Sequence, residues 1–204
     1  MKKLFYLFCC MFAVLFAACE NGQPDGPSGN SSNGHEYVDL GLSVKWATCN
    51  VGANAPEAYG DYFAWGEISP KSSYSSSNYS YSNNPSTLPM SADAANANWG
   101  GTWRMPTSAE QDELRTQCTW TWTTQNGVKG YTVTSRTNGN SIFLPAAGYR
   151  INSNLIYAGS SGYYWSSSVT TNSGYACILN FGVSYVAWYY YYRYYGQSVR
   201  PVLP

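Results

Sequence analysis

The alternation of apolar and polar residues divides the chain into a leader, a linker and a strand-rich domain. An apolar run over residues 4–18 is followed by residues 20–34, which are rich in Gly, Pro, Ser and Asn and show no periodicity. Short alternating segments begin at His35, and such alternation is typical of half-buried strands separated by turns. The pattern predicts a flexible tether over residues 20–34 and one folded domain over residues 35–204.

Residues 1–19 have the organisation of a signal peptide. Lys2 and Lys3 precede the apolar run, which is too short to span a bilayer, and small residues lead to Cys19. The segment resembles a bacterial lipoprotein signal, although Phe16 stands where such signals usually carry Leu. The resemblance implies lipidation of Cys19 and a lipid-anchored, surface-exposed position in the cell envelope, at the outer membrane. An ordinary cleaved secretory signal is the alternative.

A capping pattern predicts a helix in the middle of the domain. Thr107 is followed three residues later by Glu110, and Leu114 and Cys118 fall on one face. The helix is expected to end near Gln117. Residues 69–89 are rich in Ser, Tyr and Asn without periodicity, which indicates a long surface loop.

Two alternating runs follow the helix and predict a hairpin. Asn126-Gly127 lies between them, and this dipeptide favours the tight turn that joins antiparallel strands. Another strand and turn are expected over residues 141–149. With one or two helices, mixed or antiparallel strands and long loops, the predicted fold class is α+β.

The end of the domain is unusually rich in tyrosine. Seven of the chain's 20 tyrosines fall between Tyr185 and Tyr195, and four are consecutive. A strand of this sequence shows phenol rings on both faces, of which at most one can be buried. Tyrosine provides rigid contact area with a polar tip, so the tail is interpreted as a binding surface; a structural edge without a ligand is the alternative. The candidate contact residues are Tyr185, Tyr189, Tyr190, Tyr191, Tyr192, Tyr194 and Tyr195, with Tyr175, Cys177 and Ala187 at the margin.

Composition narrows the possible partners. Eleven basic and eleven acidic residues cancel, so the basic patch that nucleic-acid binding requires is not expected. The single histidine, His35, and the lack of a CxxC spacing argue against a metal site. After Glu113 there is no acidic residue to bind Ca²⁺. We expect no cofactor, a membrane contact through the lipid anchor, and a protein or glycan ligand on another cell, phage or host surface.

Several ordered motifs resemble a known family. The segments GLSVKWATCNVGA, GDYFAWGE, WRMPT, GYYWSSS and SVRPV resemble the Fibrobacter succinogenes major paralogous domain over about residues 35–204. That group is similar to the formylglycine-generating-enzyme branch of the C-type-lectin fold. The resemblance implies adjacent chain ends, a helix packed on a mixed sheet, and a ligand face near the C-terminus.

The cysteines of the domain and two of its arginines are assigned structural roles. Cys49 and Cys118 lie in family-like segments and form the candidate disulfide, which leaves Cys177 as a possible free thiol. Enzymes of that branch use reactive cysteines to bind copper; with these cysteines assigned to a disulfide, we expect no catalysis. Arg200 is expected to form a structural salt bridge with Glu67 or Asp61, and Arg193 to stack on a neighbouring ring.

The tail also resembles the variable proteins of diversity-generating retroelements, in which adenine-containing codons are rewritten. Asn codons changed at one adenine encode Tyr, which would explain four consecutive tyrosines, with Ala187 and Cys177 as other outcomes. The unvaried frame would contain Trp188, Gly196, Val199, Arg200 and Pro201. The expected function is that of a surface-anchored ligand-binding lipoprotein with a diversified face. The alternative is a fixed structural or adhesin-type lipoprotein of the same family.

Overall fold

The computed structural model describes residues 30–85 and 87–204. Within them the chain forms helices α1 (Ala94–Trp99) and α2 (Ser108–Gln117), two 3₁₀ turns (Ser76–Asn78 and Met90–Ala92), and twelve strands: β1 (Asn30–Ser32), β2 (His35–Val38), β3 (Lys45–Ala47), β4 (Cys118–Gln125), β5 (Val128–Ser135), β6 (Ser141–Pro145), β7 (Tyr149–Ile151), β8 (Asn154–Ile156), β9 (Ser161–Val169), β10 (Tyr175–Gly182), β11 (Tyr185–Tyr192) and β12 (Val202–Leu203). The paired strands are antiparallel, so the fold is α+β, as predicted. The predicted signal peptide, Cys19 and residues 20–29 of the tether lie outside the described residues.

The folded domain begins before His35, which corrects the predicted boundary. Strand β1 pairs with β2 through a turn at Asn33 and Gly34, whose φ angles are 49° and 80°. The Trp103 indole N–H donates to the Ser32 carbonyl at 2.9 Å. Residues 30–34, predicted as tether, therefore form part of a sheet.

The last strand lies beside the early strands. Strand β12 pairs with β3, and Val202 is opposite Trp46, in a sheet ordered β1-β2-β3-β12. The two ends of the described domain are thus close in space. Hydrogen bonds from Ala47 N to Pro201 O and from Val51 N to Val199 O, both 3.0 Å, continue this contact beyond the strands.

Helix α2 begins at the predicted capping box. The Thr107 hydroxyl accepts from Glu110 N at 3.2 Å, and the Glu110 carboxylate accepts from Thr107 N at 2.7 Å. The helix ends at Gln117, and both Leu114 and the following Cys118 are fully buried. The predicted helix, its cap and its inner face are confirmed.

The predicted hairpin is also confirmed. Strands β4 and β5 pair around Asn126 and Gly127, whose φ angles of 47° and 82° match the turn that this dipeptide favours. Trp122 lies opposite Tyr131, with ring centroids 5.1 Å apart. Strand β6 adds to β5 as the third strand of this sheet.

A central sheet ordered β11-β10-β9 separates two hydrophobic cores. Residues of adjacent strands that lie opposite each other share a face. Ile178 of β10 and Trp165 of β9 are one such pair, and they belong to one core; the next pair, Leu179 and Tyr164, belongs to the other. Helix α2 packs across the second of these faces. The sheet is therefore buried on both sides over β9 and β10.

The segment between residues 69 and 89 is not wholly a surface loop. Tyr74 is 1% exposed, its hydroxyl donates to the Tyr62 carbonyl, and its backbone pairs with Asn152. Leu88 is buried as well. Helix α1, which the sequence reading missed, follows this segment.

The expected disulfide between Cys49 and Cys118 is not formed, because the described cysteines are all free thiols. Cys118 is packed in the core beside Leu114, and burial raises the pKa of its thiol. Cys49 lies half-buried outside the hydrophobic cores, with its sulfur 3.6 Å from the Thr48 hydroxyl. Cys177, whose state the sequence left open, is a free thiol.

Candidate ligand-binding face

Strand β11 is an edge strand that carries most of the predicted contact residues. It follows β10 through a two-residue turn at Val183 and Ser184, and Gly182 pairs with Tyr185 at the base of this turn. The pairing continues without a bulge to Tyr175 and Tyr192. Because side chains alternate along a strand, the tyrosines of β11 are divided between two faces.

The odd-numbered residues of β11 share a face with the first core. Tyr185 and Tyr189 are 45% and 60% exposed, whereas Tyr191 is half-buried. The Tyr185 hydroxyl donates to Asn180 Oδ1 at 3.1 Å, which fixes the ring across the sheet. Ala187, between the two exposed rings, is half-buried.

The even-numbered residues lie on the opposite face. Trp188, Tyr190 and Tyr192 are 52%, 46% and 40% exposed. The rings of Trp188 and Tyr190 meet edge to face at 5.4 Å, and Tyr192 packs against Tyr175 of β10 at 4.5 Å. This face therefore presents a continuous row of aromatic side chains.

The first face continues into neighbouring elements through tyrosine contacts. Tyr191 meets Tyr149 of β7 at 5.5 Å and Tyr195 at 5.7 Å, and the rings of Tyr149 and Tyr195 stack at 5.4 Å. Tyr157 extends this group and is 58% exposed. The half-buried rings thus act as the base on which exposed rings rest.

An open cavity of about 490 Å³ adjoins the second face. It lies between the turn after β9 and the aromatic row, and its lining residues are Val169, Thr170, Thr171, Asn172, Tyr175 and Tyr190. Hydroxyl, amide and phenol groups are all present, and none of these side chains is charged. The cavity could hold a side chain or a sugar ring of a ligand.

The strands of the face are uncharged, and burial raises the pKa of three phenols on or beside them. Strands β10 and β11 contain no charged residue. Burial raises the pKa of Tyr149 and Tyr191, and it raises that of Tyr195 to about 12, where the neighbouring Tyr194 adds to the shift. With no Asp, Glu, Lys or Arg in β10 and β11, these strands present rings and hydroxyl groups to a ligand.

The buried side chain of Arg193 fixes the end of β11 to neighbouring segments. It is 2% exposed, and its guanidinium lies 4.4 Å from the centre of the Trp65 ring, which confirms the predicted stacking. Its Nε donates to Tyr175 O at 3.0 Å, and Nη2 donates to Asn84 Oδ1 at 2.9 Å. Burial lowers the pKa of this guanidinium. The strand end is consequently fixed to β10 and to the segment before α1.

The next residues form a rigid frame. A Cβ atom added to Gly196 would lie 2.8 Å from the Tyr74 ring, so a larger residue does not fit. Gln197, Ser198 and Val199 are fully buried. Arg200 is buried too, but its partners are Asn50 Oδ1 and the carbonyls of Ala47 and Thr48. The expected salt bridge to Glu67 or Asp61 is wrong.

Three placements add to or change the sequence prediction. Cys177 was expected at the margin of the contact surface, but it is 7% exposed and lies opposite Tyr190 on the buried strand β10. Trp188, which the retroelement resemblance assigned to the unvaried frame, is half exposed, and its exposure does not test whether the position varies. Tyr157 was not identified at all. Its positive φ of 58° follows from a turn that brings it beside Tyr149, a contact that local sequence does not reveal.

Within the described residues there is neither a cluster of metal ligands nor a helix that could cross a membrane. No three of their His, Cys, Asp and Glu side chains come close enough to hold an ion. Neither helix is long and apolar enough to cross a bilayer.

Comparison with known families gives one partial match. A model described as a domain of unknown function (DUF8237) matches residues 107–202. The matched range begins at the cap of α2 and includes the central sheet with β11. No curated protein and no solved structure matches the chain.

Proposed function

We propose that this protein is a surface-anchored lipoprotein that binds a ligand through the aromatic faces of β11. The observation that carries the proposal is the exposure of Tyr185, Trp188, Tyr189, Tyr190 and Tyr192, which are 40–60% exposed on a single strand. Large aromatic side chains dominate the energetics of protein interfaces, and exposed clusters of them are uncommon without a partner.

The frame beneath the strand supports binding by a preorganised surface. Arg193 and the half-buried rings hold the exposed rings in place before a ligand arrives, which lowers the entropy cost of binding. We propose binding without catalysis. The ring of His35 lies flat on Trp99 at 3.8 Å, and the described thiols are buried or half-buried.

The anchor and the fold type form the finer part of the proposal. Lipidation of Cys19 would hold the domain at the outer membrane, and the residues before Asn30 would separate it from the bilayer. We further propose a C-type-lectin-like fold related to the Fibrobacter succinogenes major paralogous domain. The pairing of β3 with β12 and the packing of α2 on the central sheet support that assignment.

The binding proposal is tested with two defined probes, a glycan array and a phage-displayed library of random linear peptides. We expect ligands that bind the full chain and are lost when Tyr189, Tyr190 and Tyr192 are replaced together by Ser. At about 1 kcal/mol for each ring, the loss is about 100-fold.

A matched control replaces exposed apolar residues away from β11. Ile68 and Met90 are 41% and 44% exposed, comparable to the tyrosines. Ile68→Ser with Met90→Ser should leave binding unchanged. Equal loss in both variants, or ligands that ignore the tyrosine triple variant, would contradict the proposal.

A fixed surface adhesin is the second candidate. It is favoured by the half-exposed ring of Trp188, which belongs to the aromatic row although the retroelement resemblance assigns this position to the unvaried frame. Sequencing the locus separates the candidates. A downstream near-copy of residues 162–204 beside a reverse-transcriptase gene, differing only at adenines, would establish diversification. Without such a copy, the face serves one fixed partner.

A further inference from the structure

The backbone of β11 has hydrogen-bonding groups directed away from its sheet. Arg193 N donates to Gly174 O at 3.1 Å, which extends the ladder between β10 and β11 by one pair. In an antiparallel ladder, hydrogen-bonded pairs alternate with pairs that make no such bond. The N–H and C=O groups of Val186, Trp188 and Tyr190 therefore point away from β10.

These groups have no partner within residues 30–85 and 87–204. Strand β11 is the last strand in its sheet, and no hydrogen bond from a loop or a side chain reaches the backbone of Val186, Trp188 or Tyr190. The free edge ends at Tyr192, whose carbonyl accepts from Tyr195 N at 3.0 Å. The outward N–H and C=O groups of three alternate residues are thus unpaired.

This edge also lacks the sequence features that usually prevent strand addition. Exposed edges are commonly protected by Lys, by Pro, by a bulge or by an inward charge. Strand β11 contains no charged residue and no proline, and its register with β10 is continuous. A free and unprotected edge is a template for pairing with another chain.

We propose that the ligand of this face is an extended polypeptide segment of another protein, which adds to β11 as a fourth strand. Only an extended backbone offers donors and acceptors that repeat every two residues, about 7 Å apart. The row of Trp188 and Tyr190 would cover one side of the added strand, and Tyr185 and Tyr189 the other. Because β11 is uncharged, the segment that fits it has uncharged side chains over the paired residues.

The proposal rests on the proposed function and names its ligand class. A second copy of this chain is the competing occupant, because the set Val186, Trp188 and Tyr190 is symmetric about Trp188 and could pair with itself antiparallel. Such a dimer would cover the tyrosines that the proposed function leaves accessible. The test therefore has to distinguish a foreign segment, a glycan and a second copy.

The decisive variant is Trp188→Pro, with Trp188→Ala as its matched control. Both lack the indole ring, but only proline removes the outward N–H, and the N–H groups that pair with β10 stay in place. Linear peptides of about ten residues, long enough to pair with the whole strand, are selected on the full chain in mild detergent. We expect them to bind Trp188→Pro at least about 10-fold more weakly than Trp188→Ala.

A second measurement does not depend on the folding of the proline variant. Methylation of the selected peptides at single backbone nitrogens should weaken binding to the unaltered chain at every second residue, because alternate N–H groups face β11. Equal binding to the proline and alanine variants, together with no alternation in the methylated series, would overturn strand addition.

The remaining outcomes separate this inference from the proposed function. Glycans whose binding is lost in the tyrosine triple variant would leave the proposed function intact and overturn the peptide ligand. A dimer in sedimentation experiments that Trp188→Pro abolishes would make the second copy the occupant and overturn the foreign segment. If no selected ligand depends on the tyrosines, the proposed function itself fails.

Discussion

Arg200 shows how a single buried residue can support the frame of the binding face without an ion pair. It is 1% exposed, and its Nε donates to Asn50 Oδ1 at 2.9 Å. Its Nη1 donates to the carbonyls of Ala47 and Thr48 at 3.1 and 2.7 Å. Burial lowers the pKa of the guanidinium. The planar guanidinium thus links the end of β3 and the residues that follow it to the segment before β12.

Replacement of Arg200 by Lys should destabilise the domain by about 2 kcal/mol, because one ammonium cannot reach all three acceptors. The free energy of unfolding in urea measures the effect. Arg136→Lys is the control, since Arg136 lies on the surface. A change at position 200 no larger than at position 136 would show that the three hydrogen bonds do not stabilise the frame.

Strand β11 illustrates what an element's own sequence can and cannot predict. Four consecutive tyrosines predict rings on both faces, and Tyr189 and Tyr190 are exposed on opposite sides. The half-buried position of Tyr191 was not predictable in this way, because it depends on Tyr149 and Tyr163, which are distant in sequence. The same reason explains the error at Cys177. Its burial follows from its place on the middle strand of a sheet with a core on each side.

Local signals were reliable where the stabilising contacts are themselves local. The cap of α2 and the turn at Asn126-Gly127 depend on residues within a few positions of each other, and both were predicted. By contrast, the pairing of β1 with β2 could not be predicted, because the Gly, Ser and Asn content of the β1 segment is typical of a linker. Contacts such as that of Trp103 with Ser32, 71 residues apart, are what order it.

The cap of α2 gives a prediction at the scale of the element. Thr107→Ala removes the hydroxyl that accepts from Glu110 N and should reduce stability by about 1 kcal/mol. Thr107→Ser keeps the hydroxyl and should cost only a fraction of that. The midpoint of urea unfolding compares the two variants. Equal losses would mean that the methyl group of Thr107, and not the cap, provides the stabilisation.

The whole domain is built around the central sheet, with the candidate face on its free edge. Strands β9 and β10 are buried by a core on each side, whereas β11 has no neighbour beyond it. The first and last strands of the described domain lie in a different sheet, ordered β1-β2-β3-β12. The edge strand is therefore supported by the most buried part of the molecule, while the membrane anchor we propose would connect through another sheet.

Buried phenols make the stability of the whole domain sensitive to alkaline pH. Burial raises the pKa of Tyr164 and Tyr195 to about 12, and also raises the pKa of Tyr62, Tyr79 and Tyr163. In the unfolded chain a phenol ionises at about pH 10. Below that pH both states hold the proton, so these groups do not make stability depend on pH. Above it the unfolded chain loses protons that the folded domain retains, and the free energy of unfolding falls.

We therefore expect a decrease that starts near pH 10, with each such phenol contributing about 1.4 kcal/mol per pH unit until its own folded pKa is reached. Urea unfolding at several pH values, together with phenolate absorbance, measures it. Tyr164→Phe should make the decrease shallower, although it also removes the hydrogen bond from the Tyr164 hydroxyl to Pro145 O at 2.6 Å and so lowers stability at neutral pH. A free energy of unfolding that is unchanged up to about pH 12, or a slope that Tyr164→Phe does not alter, would show that the buried phenols titrate alike in both states.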